Sequence, residues 1–417
     1  MTAVPAAGDA VRRQYEAYPY PARDPKDEAK RLVTGSPSHL DELTHHLFAG
    51  RISADPFRVL VAGGGTGDAL VMLAQQTADA GLAAELTYLD LSEASRAIAE
   101  ARIAARDLGG RVRFLTGSLL DIAALAPGPF DYIDCCGVLH HLDDPDAGLA
   151  ALASVLAPGG GMGLMVYAPQ GRAGVYPLQA ALRQLAPATL PPAERVAAAK
   201  KLLSGLPPTN AFQRNPFLGD HKASDAGLHD LLLHSTDRPF AWPELAAWLA
   251  RAGLAVAGMP WPILYDPATY IADPGLQRRL DGLDADGRAA LAENLSGAMK
   301  THCVYVARKA EAAGRAARFD ADAVPVLREL DGQAIAARLR PGRPLPVSLG
   351  GLDLAVPLPP LGPAIIGLVD GTRDAGAIAA MLADRRRDLD RAAILAQIDA
   401  TLAALTRIAK GFLRRPR

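Results

Sequence analysis

Residues Arg58 to Asp68 read RVLVAGGGTGD, an apolar run that breaks into a glycine-rich turn, and a second run, LTYLDLS, ends on Asp90. Val59, Leu60 and Val61 suit a strand buried on both faces of a parallel sheet. Gly63, Gly64, Gly65 and Gly67 let the backbone bend sharply and come close to a ligand. A dinucleotide fingerprint would place a further glycine three residues beyond Gly65, and that residue is Asp68. An anion at a helix start is expected to repel a pyrophosphate. The turn therefore predicts a nucleoside ligand without phosphates, with Asp90 accepting both ribose hydroxyl protons.

A chain of 417 residues exceeds the usual range of a single core, so two domains or one domain with a large appendage are expected. Hydrophobic residues make up 50% but aromatics only 5%, which favours helices packed through small side chains. A formal net charge of −1 gives no support to a nucleic-acid groove. Cys135, Cys136 and Cys303 show no metal-ligand spacing, and so few cysteines suit a reducing compartment. The N-terminus lacks the apolar core of a signal peptide, and no stretch has the uncharged length of a membrane span. Composition thus predicts a cytoplasmic protein, bacterial in style, without metal, nucleic acid or membrane partners.

Strand and helix alternate from residue 58 to 168. Strands are expected at Arg58–Ala62, Leu86–Asp90, Arg111–Leu115, Phe130–Cys135 and Met162–Tyr167, with helices opened near Asp68, by Ser92 and by Asp144 with Pro145. Alternation stops over 169–240, a long insertion. WPELAAWLARAGLAVAGM then reads as a helix entering strand six, and HCVYVAR as strand seven. A second insertion, 260–301, is expected to be helical from Gln277 to Lys300. Near the C-terminus LPVSLGGLDLAVPL predicts a hairpin about Gly350–Gly351, followed by helices burying Ile378, Met381 and Leu382 on one face and Ile394, Ile398, Leu402 and Leu405 on another.

The runs AGGGTG, YLDLS and PFDYIDCCGVLHHLDDP, in that order, resemble the successive cofactor motifs of class I S-adenosylmethionine-dependent methyltransferases, over roughly residues 58–168. The resemblance implies an α/β fold, a doubly wound seven-stranded sheet ending in an antiparallel strand, with a helical lid insertion before it. It also implies S-adenosylmethionine as cofactor. The segment GLVDGTRDAGAIAAML with the hairpin resembles peptide-binding winged helices, giving a small C-terminal α+β winged-helix-like domain; a structural or dimerisation appendage is the plainer reading. The expected segmentation is a lead-in over 1–57, the methyltransferase domain over 58–309 and the C-terminal domain over 310–417.

On this resemblance Gly63, Gly64, Gly65 and Gly67 run beneath the cofactor's methionine part, and Asp90 with Leu91 meets the ribose. Ser118, Leu119 and Asp121 border the adenine, with Ser118 standing where the family commonly has an acid. Cys135 lines the cofactor as a small strand-end residue; nothing in the sequence marks it as a nucleophile. His140 and His141 are the candidates for a general base. QYEAYPYPARDP concentrates Tyr15, Tyr18 and Tyr20, either as a lid over the sulfonium, which aromatic faces would attract, or as an anchor on the domain surface. The run LDELTHHLFAGR puts His45, His46 and Arg51 at the site border, with Arg51 the candidate for the cofactor's carboxylate. Within the first insertion His221, Asp225 and His234 are the expected acceptor contacts.

The predicted function is methyl transfer from S-adenosylmethionine to an oxygen or nitrogen acceptor on a small molecule or peptide, with a homodimer as a possible assembly. The rivals are a non-catalytic scaffold on the same fold and a nicotinamide-dependent dehydrogenase, which Asp68 opposes.

Overall fold

A computed structural model describes residues 7–416 of the chain. Seven strands form one sheet: β1 (Phe57–Ala62), β2 (Ala84–Asp90), β3 (Val112–Thr116), β4 (Phe130–Cys136), β5 (Leu156–Tyr167), β6 (Leu254–Gly258) and β7 (Thr301–Arg308), in the order β3-β2-β1-β4-β5-β7-β6. The first five run parallel, and β6 pairs antiparallel with β7. Their expected positions hold to within a few residues, except that β5 begins at Leu156 and takes in the Pro-Gly stretch expected to precede it. Helices follow each early strand because the sequence supplies their starts. Ser92 accepts from the Ser95 N–H at the head of Glu93–Ala105, and Asp144 does the same for Ala147 ahead of Pro145–Ser154.

The chain gathers into two compact units, one made of the N-terminal residues through Ser38 with Ala54–Gly253 and Ser296–Cys303, the other of His39–Ser53, Leu254–Leu295 and Val304–Arg417. These boundaries differ from a division at residues 57 and 309, because helix Leu40–Leu47 and the second insertion pack with the C-terminal part.

In the first unit, strand order reverses between β1 and β4, the switch point at which open α/β sheets bind ligands beyond their carboxyl ends. The first insertion folds into helices Val175–Leu185, Pro192–Ser204, Asp220–Ala223 and Asp225–Leu232 around a core of its own, in which Val175, Leu182, Phe212, Leu228 and Leu231 are buried and against which Tyr18 packs.

In the second unit, β8 (Val324–Leu327) pairs antiparallel with β11 (Gly411–Arg414), and β9 (Leu345–Leu349) with β10 (Leu352–Val356). The β9–β10 hairpin turns at Gly350 and Gly351, both with positive φ. Ile378, Leu382, Ile394, Ile398, Leu402 and Leu405 are buried as their periodicity requires, with Met381 only partly so. The second insertion is helical in two pieces, Pro274–Arg278 and Ala285–Ser296.

Candidate active site

The glycine turn leaves β1 on the first unit's switch point. Gly63 and Gly65 hold φ of +70° and +52°, conformations that side-chain-bearing residues rarely adopt. A Cβ on Gly63 would come within 2.4 Å of Val138, and one on Gly65 within 2.7 Å of the Tyr20 carbonyl oxygen. Tyr88, buried on β2, donates from its hydroxyl to the Gly65 carbonyl at 2.6 Å and so pins the turn from below. Its role was not foreseen from sequence, where it reads as one apolar strand residue among several.

Asp90 stands at the tip of β2. One carboxylate oxygen accepts from the Gly65 N–H and the other from the Ser92 N–H, both at 2.8 Å. Burial raises its pKa against the pull of these donors. Each oxygen keeps lone-pair capacity beyond its backbone bond, as a vicinal diol would need. Around it the strand tips leave a rim of partly exposed residues: Gly63–Gly65, Asp90 and Leu91, Thr116–Ser118 and Cys136–Val138. Ser118 accepts from the Leu120 N–H at 3.2 Å, while Leu119 is buried and Asp121 is exposed, with no side-chain cap bond. Glycine turn, diol acceptor and adjoining rim together fit a nucleoside.

Several expectations need correction. Asp68 is not a bare anion: Arg23 meets both its oxygens at 2.8 and 2.6 Å, and Arg102 meets one at 2.7 Å. Its charge is offset, so repulsion by Asp68 is not what disfavours a pyrophosphate. Two carbonyl oxygens also lie at the turn, Tyr20 against Gly65 and Pro21 accepting from the Thr66 hydroxyl at 2.7 Å. Cys135 is wholly buried and its thiol pKa is pushed well up by burial, so the residue reaching the rim is Cys136. Arg51 is exposed within the second unit and donates toward the Pro416 carbonyl at 3.4 Å. His45 accepts from the Leu413 N–H and His46 stacks on Tyr305, both buried in that unit's packing. Asp225 is exposed and ion-paired with Lys200 at 2.5 Å. His221 lies against Phe212 at the edge of the insertion's core.

Other expected residues converge. From β4 the chain runs through Val138 to His140 and His141, both buried. The His141 ring stacks on that of His234 with centroids 3.7 Å apart. His141 Nδ1 lies 2.8 Å from the Thr236 carbonyl oxygen and so carries the proton it donates, leaving Nε2 as a lone pair. His234 holds the opposite tautomer, because its Nδ1 accepts from the Thr236 N–H at 3.1 Å and its proton sits on Nε2. That Nε2 faces the Tyr15 hydroxyl at 3.4 Å, and Tyr15 donates to Asp230 at 3.0 Å. Tyr167, at the end of β5, donates to the other Asp230 oxygen, also at 3.0 Å. Burial lowers the His140 and His234 pKa values well below the ordinary range and raises those of Tyr15 and Tyr167, so these rings are neutral.

The segment after His234 organises this cluster. Asp237 binds Arg172 at 2.9 Å and Gln179 at 2.7 Å, the Arg238 N–H binds the His140 carbonyl, and the Phe240 N–H binds the Tyr167 carbonyl. Arg172 in turn lies over the Tyr167 ring at 3.6 Å. Asp230 was noted among the polar residues of the first insertion but not chosen as an acceptor contact, and Asp237, Tyr167 and Arg172 were not singled out from sequence, since they come from separate elements and share no spacing. His141, Asp230 and His234 also present their ligand atoms within 4.8 Å of one another. The proton on His234 Nε2 leaves at most two of the three as metal ligands.

The N-terminal segment links the two regions. Glu16 accepts from the Glu93 N–H at 2.6 Å at a helix start beside Asp90, Tyr15 reaches Asp230, Tyr18 stacks on His229 at 5.5 Å, and Arg23 holds Asp68.

Fold and rim define a doubly wound α/β protein that takes a nucleoside-bearing ligand at its switch point. The methyltransferase domain family matches residues 60–162. An uncharacterized Synechococcus protein is 34% identical over 264 residues, covering 60% of this chain and 59% of that one. A ubiquinone biosynthesis O-methyltransferase of Xanthomonas euvesicatoria is 39% identical over 79 residues, covering 19% of this chain and 32% of the relative. The chain thus spans well under two thirds of either. In structure it resembles PKMT2 from Rickettsia typhi, with a TM-score of 0.63, 13% identity, and coverage of 91% of this chain and 76% of that one; PKMT2 has also been solved with AdoHcy. Residues 60–162 form a methyltransferase domain, and the fold is that of the class I S-adenosylmethionine-dependent methyltransferases. No helix among the described residues is long and apolar enough to cross a membrane.

Proposed function

We propose that this protein transfers a methyl group from S-adenosylmethionine to an oxygen or nitrogen atom of a small-molecule or peptide acceptor, with His141 as the general base. The carrying observation is the His141 ring: Nδ1–H is committed to the Thr236 carbonyl, so Nε2 is the nitrogen left to take a proton, and the ring lies in a buried cluster with Asp230 and His234. Gly63, Gly64, Gly65 and Gly67 hold the methionine part of the cofactor, Asp90 and Leu91 its ribose, and Ser118 with Leu119 its adenine edge. The cofactor supplies the activated methyl and its leaving group; the protein positions, excludes water and takes a proton. Tyr15, Tyr18 and Tyr20 belong to the segment that closes over the glycine turn, supported by the Tyr20 carbonyl against Gly65.

The reaction belongs in the cytoplasm of a bacterium, without a nucleic-acid partner. The residues beyond 310 serve peptide capture or dimerisation, which light scattering and acceptor pull-down separate. Calorimetry with S-adenosylmethionine tests the cofactor, and absence of binding by it and by its demethylated product would favour a scaffold. His141→Gln is expected to lower methyl transfer by about 10²–10⁴-fold with cofactor affinity retained. Unchanged turnover would remove His141 from the mechanism.

A further inference from the structure

Asp230 is 4% exposed, and no cation lies within ion-pairing distance of it among the described residues. Arg172, the nearby guanidinium, is committed to Asp237 and Tyr176. Two phenol hydroxyls donate to its carboxyl group, one to each oxygen, and neither carries a positive charge. A buried carboxylate without a counter-ion is costly, and proteins keep such groups where a cation arrives. The groups around it are aromatic, Tyr15, Tyr167, His141 and His234, and their ring faces and phenol oxygens suit a cation. A metal ion would be the other candidate, but His234 presents Nε2–H to the site, not a lone pair.

We propose that the acceptor is an amine that enters as an ammonium ion, with Asp230 as its counter-ion and Tyr15 and Tyr167 as the residues that position that carboxylate. This rests on the methyltransferase reading above and narrows its acceptor from oxygen or nitrogen to nitrogen. The ammonium gives one proton to His141 Nε2, and the resulting imidazolium is stabilised by Asp230. The freed nitrogen lone pair forms the new carbon–nitrogen bond as the methyl carbon's bond to sulfur breaks, its electron pair staying on sulfur. The product leaves as a methylated ammonium, and the proton on His141 passes to solvent.

Sinefungin tests this without knowledge of the acceptor, because it carries an amine where S-adenosylmethionine carries the transferable methyl. Calorimetry on the full chain should show sinefungin binding at least about 10-fold tighter than S-adenosylhomocysteine, as an added charge-assisted contact would give. Asp230→Asn should abolish that preference while leaving S-adenosylhomocysteine affinity unchanged, which also shows that the variant is folded; should that variant not fold, Tyr167→Phe, which frees one carboxylate oxygen, should reduce the preference. Equal binding of the two ligands by the wild type, or a preference that survives Asp230→Asn, overturns the amine assignment while the cofactor reading stands. Failure of both ligands to bind overturns the cofactor reading itself. One equivalent of Zn²⁺ bound by the wild type and lost in Asp230→Asn would assign the carboxylate to a metal instead.

Discussion

Asp134 shows how one residue sets a measurable property. It is 2% exposed on β4, accepts a short hydrogen bond from Ser38, and has its pKa pushed up to about 7 by burial. Ser38 is also 2.7 Å from the Tyr132 hydroxyl, so the carboxyl sits in a small buried polar group within the sheet. The folded state keeps this proton up to about 7, whereas an unfolded aspartate releases it at its ordinary, lower value. Stability from this group is therefore full below the ordinary value and is lost as pH rises through 7, by roughly 1.4 kcal/mol per pH unit across that window. Urea unfolding between pH 4 and 8 should show the slope, and Asp134→Asn should flatten it; an identical slope in the variant would refute the assignment. The residue's place on strand four was legible in PFDYIDCC. Its protonation was not, because the burial that raises its pKa comes from packing by the rest of the chain.

At the scale of elements, the glycine turn is held by helix Glu93–Ala105 as well as by its own strand. Arg102 on that helix is fully buried and donates to Glu28 at 2.6 Å, to the Thr66 carbonyl at 2.8 Å and to Asp68 at 2.7 Å. Arg106, one turn on, meets the other Glu28 oxygen at 2.5 Å, and Arg23 completes the pairing of Asp68. Arg102→Met leaves Glu28 short of one of its two cations and the Thr66 carbonyl without its donor. Removing one partner of a buried pair costs about 3–5 kcal/mol, and the turn should bind S-adenosylmethionine more weakly as well. Denaturant titration and calorimetry on the same variant check both effects; wild-type stability with wild-type affinity would show that the network is dispensable. Helix starts and strand ends were readable here, since capping residues and glycines act locally. That an arginine in the middle of one helix braces the turn before another was not, since it depends on helix packing.

For the whole molecule, the second unit constrains what can be removed. Helix Leu40–Leu47 places Glu42, which is fully buried, where it accepts from the Tyr305 hydroxyl at 2.8 Å and pairs with Arg328. Asp41 pairs with Arg414, and His45 and His46 pack against Phe412 on β11. A chain ended at Arg308 loses Arg328, Phe412 and Arg414 together, and with them the buried Glu42–Arg328 pair and the Asp41–Arg414 pair. Loss of the buried pair alone costs about 3–5 kcal/mol. The truncated chain is expected to unfold at markedly lower urea concentration than the full chain, or to aggregate. A midpoint equal to the full chain's would show that residues 309–417 fold apart from helix Leu40–Leu47.

The sequence by itself determined the α/β class, the order of the early strands, the C-terminal hairpin and the methyltransferase domain's motifs, because hydrophobic period, capping residues and glycine turns act over a few residues. It also marked Gly63, Gly65, Asp90, His141, Tyr15 and His234 as candidate site residues. Tertiary structure alone decided that Asp230 and Tyr167 meet Tyr15 beside His141 and His234, that Asp225 pairs with Lys200, that His45 and His46 pack against Phe412, and that the two histidines hold opposite tautomers. Those outcomes depend on which distant groups share a buried space, where an unpaired charge or an unmet hydrogen bond is expensive, and no local pattern in the chain records that pairing.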